Sequence, residues 1–513
     1  MTPPTARCGG TPGSPEPQSP GGPEGALAAN PMDSMASEAS AVATGPTGRP
    51  RAWKVPASDI ARNTHNYIRS IVENMRIEPH PDKHMIALSI GDPTIFGNFK
   101  PPVEVVDAVR ESLLSFQYNG YAPSSGYLEA REAVARYSSR DGVDVEAKDV
   151  VLCSGCSCAL DLCITVLANP GQNILVPRPG FSIYRTLAEG LGIATKSYNL
   201  LAERSWEVDL AGLEAAIDSE TAAIVINNPS NPCGSVFRRQ HLLDILAVAS
   251  RHRVPIIADE IYEHLVFPGE RYHSLGSLST DVPVLSCSGL TKRFLVPGWR
   301  MGWIVVHDRG GVLEEVRGGL QKLSQRIIGS NTLVQGALPA ILQNTPAAFY
   351  EDTARRLQLH ARIAFECLRE VPGLSPVMPQ GAMYMMVGLN MAHFPAFATD
   401  LDLVNSLVCE ESVFVLPGQC FDFPGYVRLV LTVPEEQLRE ACARIRDFCL
   451  RHYDTAVTAI TAMELEPAAV LAEDLLVNEI KDLQEDMEVV DILVEDRLAA
   501  VAAAPGVGQV GQV

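Results

Sequence analysis

Six short runs of apolar residues punctuate the middle of the chain: Val150–Leu152, Ile174–Val176, Ala223–Ile226, Pro255–Ala258, Val282–Leu285 and Trp303–Val306. Within each run the apolar positions are continuous rather than alternating, the pattern of strands covered on both faces. Amphipathic stretches such as Gln240–Arg251 lie between them. This alternation predicts an α/β domain with a mostly parallel sheet over about residues 93–329. After Gly329 the rhythm changes. Long helical stretches, Pro346–Val371 and Pro434–His452, flank the strand-like segments Ala382–Val387 and Tyr426–Val433. They predict a smaller α+β domain over 330–455, with 53–92 folding back onto it.

The two ends differ from this body. Residues 1–50 hold ten Pro and eight Gly, too few apolar groups to offset the entropy of folding, so 1–52 reads as a disordered leader. Over 456–513, Leu476, Ile480, Leu483, Met487, Val490 and Val494 recur at steps of four and three. That spacing predicts an amphipathic helix. Three heptads are few for a coiled coil, so a docked or marginal helix is the preferred reading.

Composition narrows the function classes. The 513 residues are 46% hydrophobic and carry a net charge of −20. The 456–513 tail alone has twelve acids and two bases. Such a chain disfavours nucleic-acid phosphates and acidic membranes as partners, while the tail's own partner is left open. No apolar run spans a bilayer, and the first residues lack the apolar core of a signal peptide and the Arg-rich pattern of a transit peptide. A cytoplasmic location is the expectation. Twelve cysteines sit mostly in apolar runs, where thiols pack as small hydrophobes. Cys153, Cys156, Cys158 and Cys163 lack the second CxxC or His pair of a zinc site, so no metal is expected.

Chemistry gathers where the apolar runs end. Ser154, Gly155, Cys156 and Ser157 follow the first, Phe181 the second, Asn231 the third, Asp259 and Tyr262 the fourth, and Lys292 the fifth, with Arg300 eight residues on. Open α/β sheets bind ligands at strand carboxyl ends, so one edge could hold all of them. Each type suits one part of pyridoxal phosphate (PLP). Lys292 can bond the cofactor aldehyde, and its amine can afterwards act as a general base. Asp259 can keep the pyridine nitrogen protonated. Asn231 and Tyr262 can hydrogen-bond the ring's phenolate oxygen, and Phe181 can stack on the ring. The Ser154–Ser157 turn, opening a helix, can cradle the phosphate with Arg300 beside it. Arg428, in the strand-like Tyr426–Val433, is the candidate clamp for a substrate carboxylate. Taken singly each signal is weak. A lysine after an apolar run is usually on the surface, Asp-Glu after a strand is usually a helix cap, and Asn-Pro-x-Asn-Pro is usually a turn. An internal salt bridge would explain Arg428 equally well. Their ordered joint occurrence is the argument. No P-loop GxxxxGK[ST] is present.

At these residues the chain resembles the fold-type I PLP-dependent aminotransferases. The matching stretches are ALSIGDPT from Ala87, YNGYAPSSGYLEAREA from Tyr118, INNPSNPCGSVF from Ile226, ADEIYEHLVF from Ala258, LSCSGLTKRFLVPGWRMGW from Leu285 and GAMYMMVG from Gly381. The resemblance covers about 53–453. It implies a large PLP-binding domain with a small domain, and a homodimer with its sites at the subunit interface. Tyr121 then matches a cross-subunit phosphate ligand, Gly91 a backbone contact to the substrate carboxylate, and Arg428 the carboxylate arginine. The reaction implied is L-tyrosine plus 2-oxoglutarate giving 4-hydroxyphenylpyruvate plus L-glutamate, the first step of tyrosine breakdown. One departure stands out: where many members carry a phosphate-binding Ser three residues before the lysine, this chain has Gly289, with Ser288 beside it. A lyase on the same fold and a catalytically silent scaffold are the competing readings.

Overall fold

The computed structural model describes residues 55–75 and 77–455. The expected leader and the expected tail helix lie outside the described residues. Among the described residues the strands are β1 (Ile86–Ala87), β2 (Val150–Cys153), β3 (Asn173–Arg178), β4 (Ala194–Leu201), β5 (Glu207–Val208), β6 (Thr221–Asn227), β7 (Ile256–Asp259), β8 (Val284–Gly289), β9 (Gly302–His307), β10 (Leu374–Pro376), β11 (Tyr384–Leu389), β12 (Val413–Phe414), β13 (Leu416–Pro417) and β14 (Tyr426–Val430).

Eight of them form one sheet in the order β2-β9-β8-β7-β6-β3-β4-β5. The central strands β8, β7, β6, β3 and β4 run parallel. β9 is antiparallel to both β8 and β2, and β5 is antiparallel to β4. All six apolar runs are strands of this sheet. Two of them start later than the run because of proline. β7 begins after Pro255 and β8 after Pro283, since proline has no N–H for the ladder. Their carbonyls still accept, from Ile224 N–H and Ile256 N–H, each at 3.0 Å.

Alternate residues of these strands feed different cores. Ile174, Val176, Ala223, Val225, Ile257 and Leu285 pack on one face with the helix Cys156–Leu167. Leu175, Ile224, Ile226, Ile256, Ala258 and Val284 pack on the other with the helix Arg239–His252. Both faces are covered, which is why the runs read as continuously apolar. β4 has no such run. Its ATKSYNLL alternates, and only Tyr198 and Leu200 are buried, as befits a strand near the sheet edge.

A second, antiparallel sheet has the order β10-β11-β14-β13 and packs with the helices Ala347–Leu368, Asp400–Glu411 and Glu435–His452. The described part of 53–92 divides its contacts. β1 pairs with β12, and Leu88 O accepts from Val430 N–H at 2.8 Å, which joins residues 86–88 to the second sheet. The helix Tyr67–Asn74 instead reaches the main sheet's helix Ile183–Gly190, where Tyr67 Oη donates to Glu189 at 2.5 Å.

Candidate active site

The carboxyl ends of β3, β6, β7 and β8 face one cavity of about 720 Å³. β9 runs the other way, so its amino end lies at the same edge and brings Arg300, two residues before Gly302, to that edge. Lining residues include Cys156, Ser157, Phe181, Asn231, Asp259 and Tyr262, together with Lys292, Arg300, Gly91 and Arg428. Ten of the predicted residues therefore meet in one space. The amine at 292 and the carboxylate at 259 open into the same cavity.

Asp259 ends β7 and is 3% exposed. Tyr184 Oη donates to its Oδ2 at 2.7 Å, and Cys156 Sγ to its Oδ1 at 3.6 Å. Burial pushes the carboxyl pKa up. The Tyr184, Ile261 N–H and Cys156 donors, with the nearby Lys292 charge, pull it back. A buried carboxylate so supplied can remain ionised opposite a cationic ring nitrogen.

Lys292 follows β8, and its Nζ donates to Gly91 O at 2.6 Å. Gly91 is tightly held: a Cβ there would fall 2.8 Å from Tyr384 Oη. Arg428, on β14, is 3% exposed. Its Nη1 donates to Asn231 Oδ1 at 3.0 Å and its Nη2 to Ser89 O at 2.7 Å. The guanidinium lies over the Tyr384 and Phe421 rings, and Nε has no partner. Burial lowers its pKa. No carboxylate pairs with it among the described residues, so the internal salt bridge is not seen. Asn231 is fixed in turn by its N–H donating to Asn227 Oδ1 at 2.7 Å. Tyr262 Oη and Tyr384 Oη share a hydrogen bond of 2.8 Å.

The helix Cys156–Leu167 begins at the cavity, with Gly155 as N-cap at φ 79°. A side chain at 155 would be strained there and would overlap the Arg300 guanidinium. Arg300 Nη2 donates to Ser154 O at 3.2 Å. Ser154 and Gly155 stand behind this contact and do not line the main cavity, whereas Cys156 and Ser157 do. A helix N-terminus with an arginine across it is a site for a dianion.

A family model, aminotransferase class I and II, matches residues 83–445. The chain is 56% identical over 418 residues to the mouse tyrosine aminotransferase, covering 81% of this chain and 92% of that protein. The chain belongs to the class I and II aminotransferases. The solved structure of the Leishmania infantum tyrosine aminotransferase superimposes with a TM-score of 0.76 at 34% identity, covering 79% of this chain and all of that one. An S-alkyl-thiohydroximate lyase of Arabidopsis thaliana is 31% identical over 440 residues, 84% of this chain and 95% of that protein.

Aminotransferases of this class use PLP, and the cavity suits it. An amine, a supplied buried carboxylate and a helix N-terminus with Arg300 line one space. The buried hydroxyls of Ser89 and Thr291, both on its wall, have no protein partner. Several contributors escaped sequence reasoning. Tyr184 is inside a helix and reaches Asp259 only in three dimensions. Thr291 stands next to Lys292, and a hydroxyl beside the lysine is the signal the sequence offers for it. Tyr384 of GAMYMMVG bridges Tyr262, Gly91 and Arg428.

Ser288 does not replace the family's serine. Its Oγ donates to Glu263 at 3.0 Å, inside a buried cluster where Glu263 also accepts from Arg140 at 2.8 Å and Arg293 at 3.3 Å. Side chains alternate along β8, which turns Ser288 away from the cavity. Tyr121 is 89% exposed and does not line its own chain's cavity. No group of three or more His, Cys, Asp or Glu among the described residues is arranged to hold a metal.

Proposed function

We propose that this aminotransferase moves the amino group of L-tyrosine to 2-oxoglutarate, giving 4-hydroxyphenylpyruvate and L-glutamate. The observation carrying the proposal is the single cavity uniting Lys292, Asp259, Asn231, Tyr262, Arg300 and Arg428. PLP, when bound, supplies an aldehyde for the substrate amine and a ring that accepts the electron pair left at Cα.

The chain's residues supply the rest. Lys292 holds the cofactor at rest, and its amine then takes and returns the Cα proton. Asp259 keeps the pyridine nitrogen protonated. Asn231 and Tyr262 would donate to the phenolate oxygen, Phe181 would cover the ring, and the Ser154–Ser157 turn, which faces the cavity through Cys156 and Ser157, would hold the phosphate with Arg300. Arg428 and the backbone at Gly91 grip the substrate carboxylate. Ile68, Val72, Leu160, Phe414 and Leu416 give the cavity an apolar wall that suits an aromatic side chain. The substrate choice rests on that wall and on the relatives' activity.

Tyr184→Phe tests the role of Asp259. Without that donor the carboxyl pKa rises further, and Asp259 must be ionised to work. The acid limb of the kcat profile is expected to move to higher pH, while a buried hydrogen bond worth about 1 kcal/mol is lost from stability. An unmoved limb would count against the role.

A homodimer is part of the proposal. Phe116 and Tyr121 are 75% and 89% exposed, and a further cavity of about 410 Å³ borders Arg300, Trp299 and Ser154. Tyr121 of a second copy would enter there and donate to the phosphate. No helix among the described residues is long and apolar enough to cross a membrane. A cytoplasmic enzyme opening tyrosine breakdown is the biological setting proposed. The deciding experiment is a ping-pong kinetic panel of amino acids with 2-oxoglutarate. Tyrosine should give the highest kcat/KM. Ammonia or thiol release without 2-oxoglutarate would favour the lyase reading, which the Arabidopsis relative represents.

A further inference from the structure

Two tyrosine hydroxyls meet between the two sheets. Tyr262 follows β7 of the main sheet, and Tyr384 opens β11 of the second. Their oxygens are 2.8 Å apart, and the rings stand edge to face with centroids 5.7 Å apart. Tyr262 is 3% exposed and Tyr384 1%, and both line the main cavity.

The surrounding chain fixes this approach. Ala382 N–H donates to Leu265 O at 2.7 Å and Phe267 N–H to Gln380 O at 2.9 Å, so the segment after Tyr262 is tied to the segment before Tyr384. The Arg428 guanidinium covers one face of the Tyr384 ring at 4.4 Å from its centre. Gly91 crowds the Tyr384 oxygen, leaving no room there even for a methyl group. Among the described residues, the hydroxyl of Tyr384 has Tyr262 Oη as its one hydrogen-bond partner.

We propose that Tyr384 is a positioning residue that donates its hydrogen to Tyr262, so that Tyr262's own hydrogen points at the cofactor's phenolate oxygen. The proposal rests on reading Tyr262 as a donor to that oxygen. A phenol carries one hydrogen. If Tyr262 gave its hydrogen to Tyr384, none would be left for the cofactor. With Tyr384 as the donor, Tyr262 receives on one side and gives on the other, and each bond polarises the next. Asn231 is arranged alike. Its Oδ1 accepts from Arg428 Nη1 at 3.0 Å, which turns its amide hydrogens the other way. Both donors assigned to the phenolate oxygen thus have their accepting end filled from the second sheet, by Tyr384 on β11 and Arg428 on β14.

A donor at the phenolate oxygen stabilises negative charge there. The nearby nitrogen that joins the cofactor to Lys292 then loses its proton more easily. Without the Tyr384 hydrogen, Tyr262 is a weaker donor, and that nitrogen keeps its proton to higher pH.

The test uses the full chain loaded with PLP, with the absorbance of the bound cofactor titrated against pH. Tyr384→Phe removes one oxygen and keeps the ring beneath Arg428. Its titration midpoint should rise by about half a pH unit, the scale of one weakened hydrogen bond. Tyr262→Phe removes the donor itself and should raise the midpoint further. Adding Tyr384→Phe to Tyr262→Phe should then change nothing, because the relay has lost its outlet. An unmoved midpoint in Tyr384→Phe overturns the proposal. So does an equal shift in both backgrounds, since Tyr384 would then act through packing and not through Tyr262. If Tyr262→Phe alone leaves the midpoint in place, the reading of Tyr262 as the phenolate's donor fails, and the relay falls with it.

Discussion

Lys292→Ala should leave a folded protein with turnover reduced roughly a million-fold, the scale set by removing a covalent nucleophile from a catalytic unit. The lysine is the one amine side chain among the described residues lining the cavity. No neighbour can replace it: Arg293, next in sequence, is 1% exposed and its guanidinium lies over the Tyr137, Phe294 and Tyr350 rings. Folding should survive. Lys292 is half-buried, and the substitution removes one hydrogen bond, to Gly91 O, worth about 1 kcal/mol. Asp259 and Arg300 remain, so PLP should still bind, without a bond to the chain. Borohydride reduction followed by mass measurement decides the matter. A cofactor adduct in the variant would mean that another group holds the aldehyde.

Arg428→Ala should lower kcat/KM for the amino acid and the 2-oxo acid alike, by roughly a hundred- to several-thousand-fold. Breaking a buried charge pair costs about 3–5 kcal/mol, and both substrates bring the same carboxylate to the same fork. The structure explains the size. Arg428 is 3% exposed, bonded only to the neutral acceptors Asn231 and Ser89, and its Nε is without a partner. Such a cation is short of an anion. Arg428→Lys should recover part of the loss, because it keeps the charge but not the bidentate geometry. Initial rates with each substrate varied in turn provide the measurement. A KM effect confined to one substrate would remove Arg428 from the carboxylate site.

Much of this was legible from the chain alone, and the reason differs by residue. Asp259 directly follows an apolar run and Lys292 stands seven residues beyond another, and strand ends in a parallel sheet converge, so their meeting in one cavity could be read from position. Arg300 was legible from its motif, but its access to the same edge depends on β9 running antiparallel, which the apolar run Trp303–Val306 does not encode. Tyr184 left no signal, because its hydroxyl meets Asp259 across 75 residues of sequence. Ser288 shows the opposite limit. A hydroxyl beside the expected phosphate position is turned toward Glu263, and only the pleat of β8 decides that.

The sequence by itself determined the layering and the kind of chemistry. Continuous apolar runs require two covered faces, and a lysine, an acid and an amide beyond the ends of such runs, with Arg300 ahead of another and Arg428 inside a strand-like segment, limit what they can bind. Tertiary structure alone decided partnership: which donors supply Asp259, what Arg428 leans on, and which acid Ser288 faces. Periodicity reports whether a position is buried. It does not report the neighbour across the sheet, because that neighbour is set by strand order and register between segments distant in sequence.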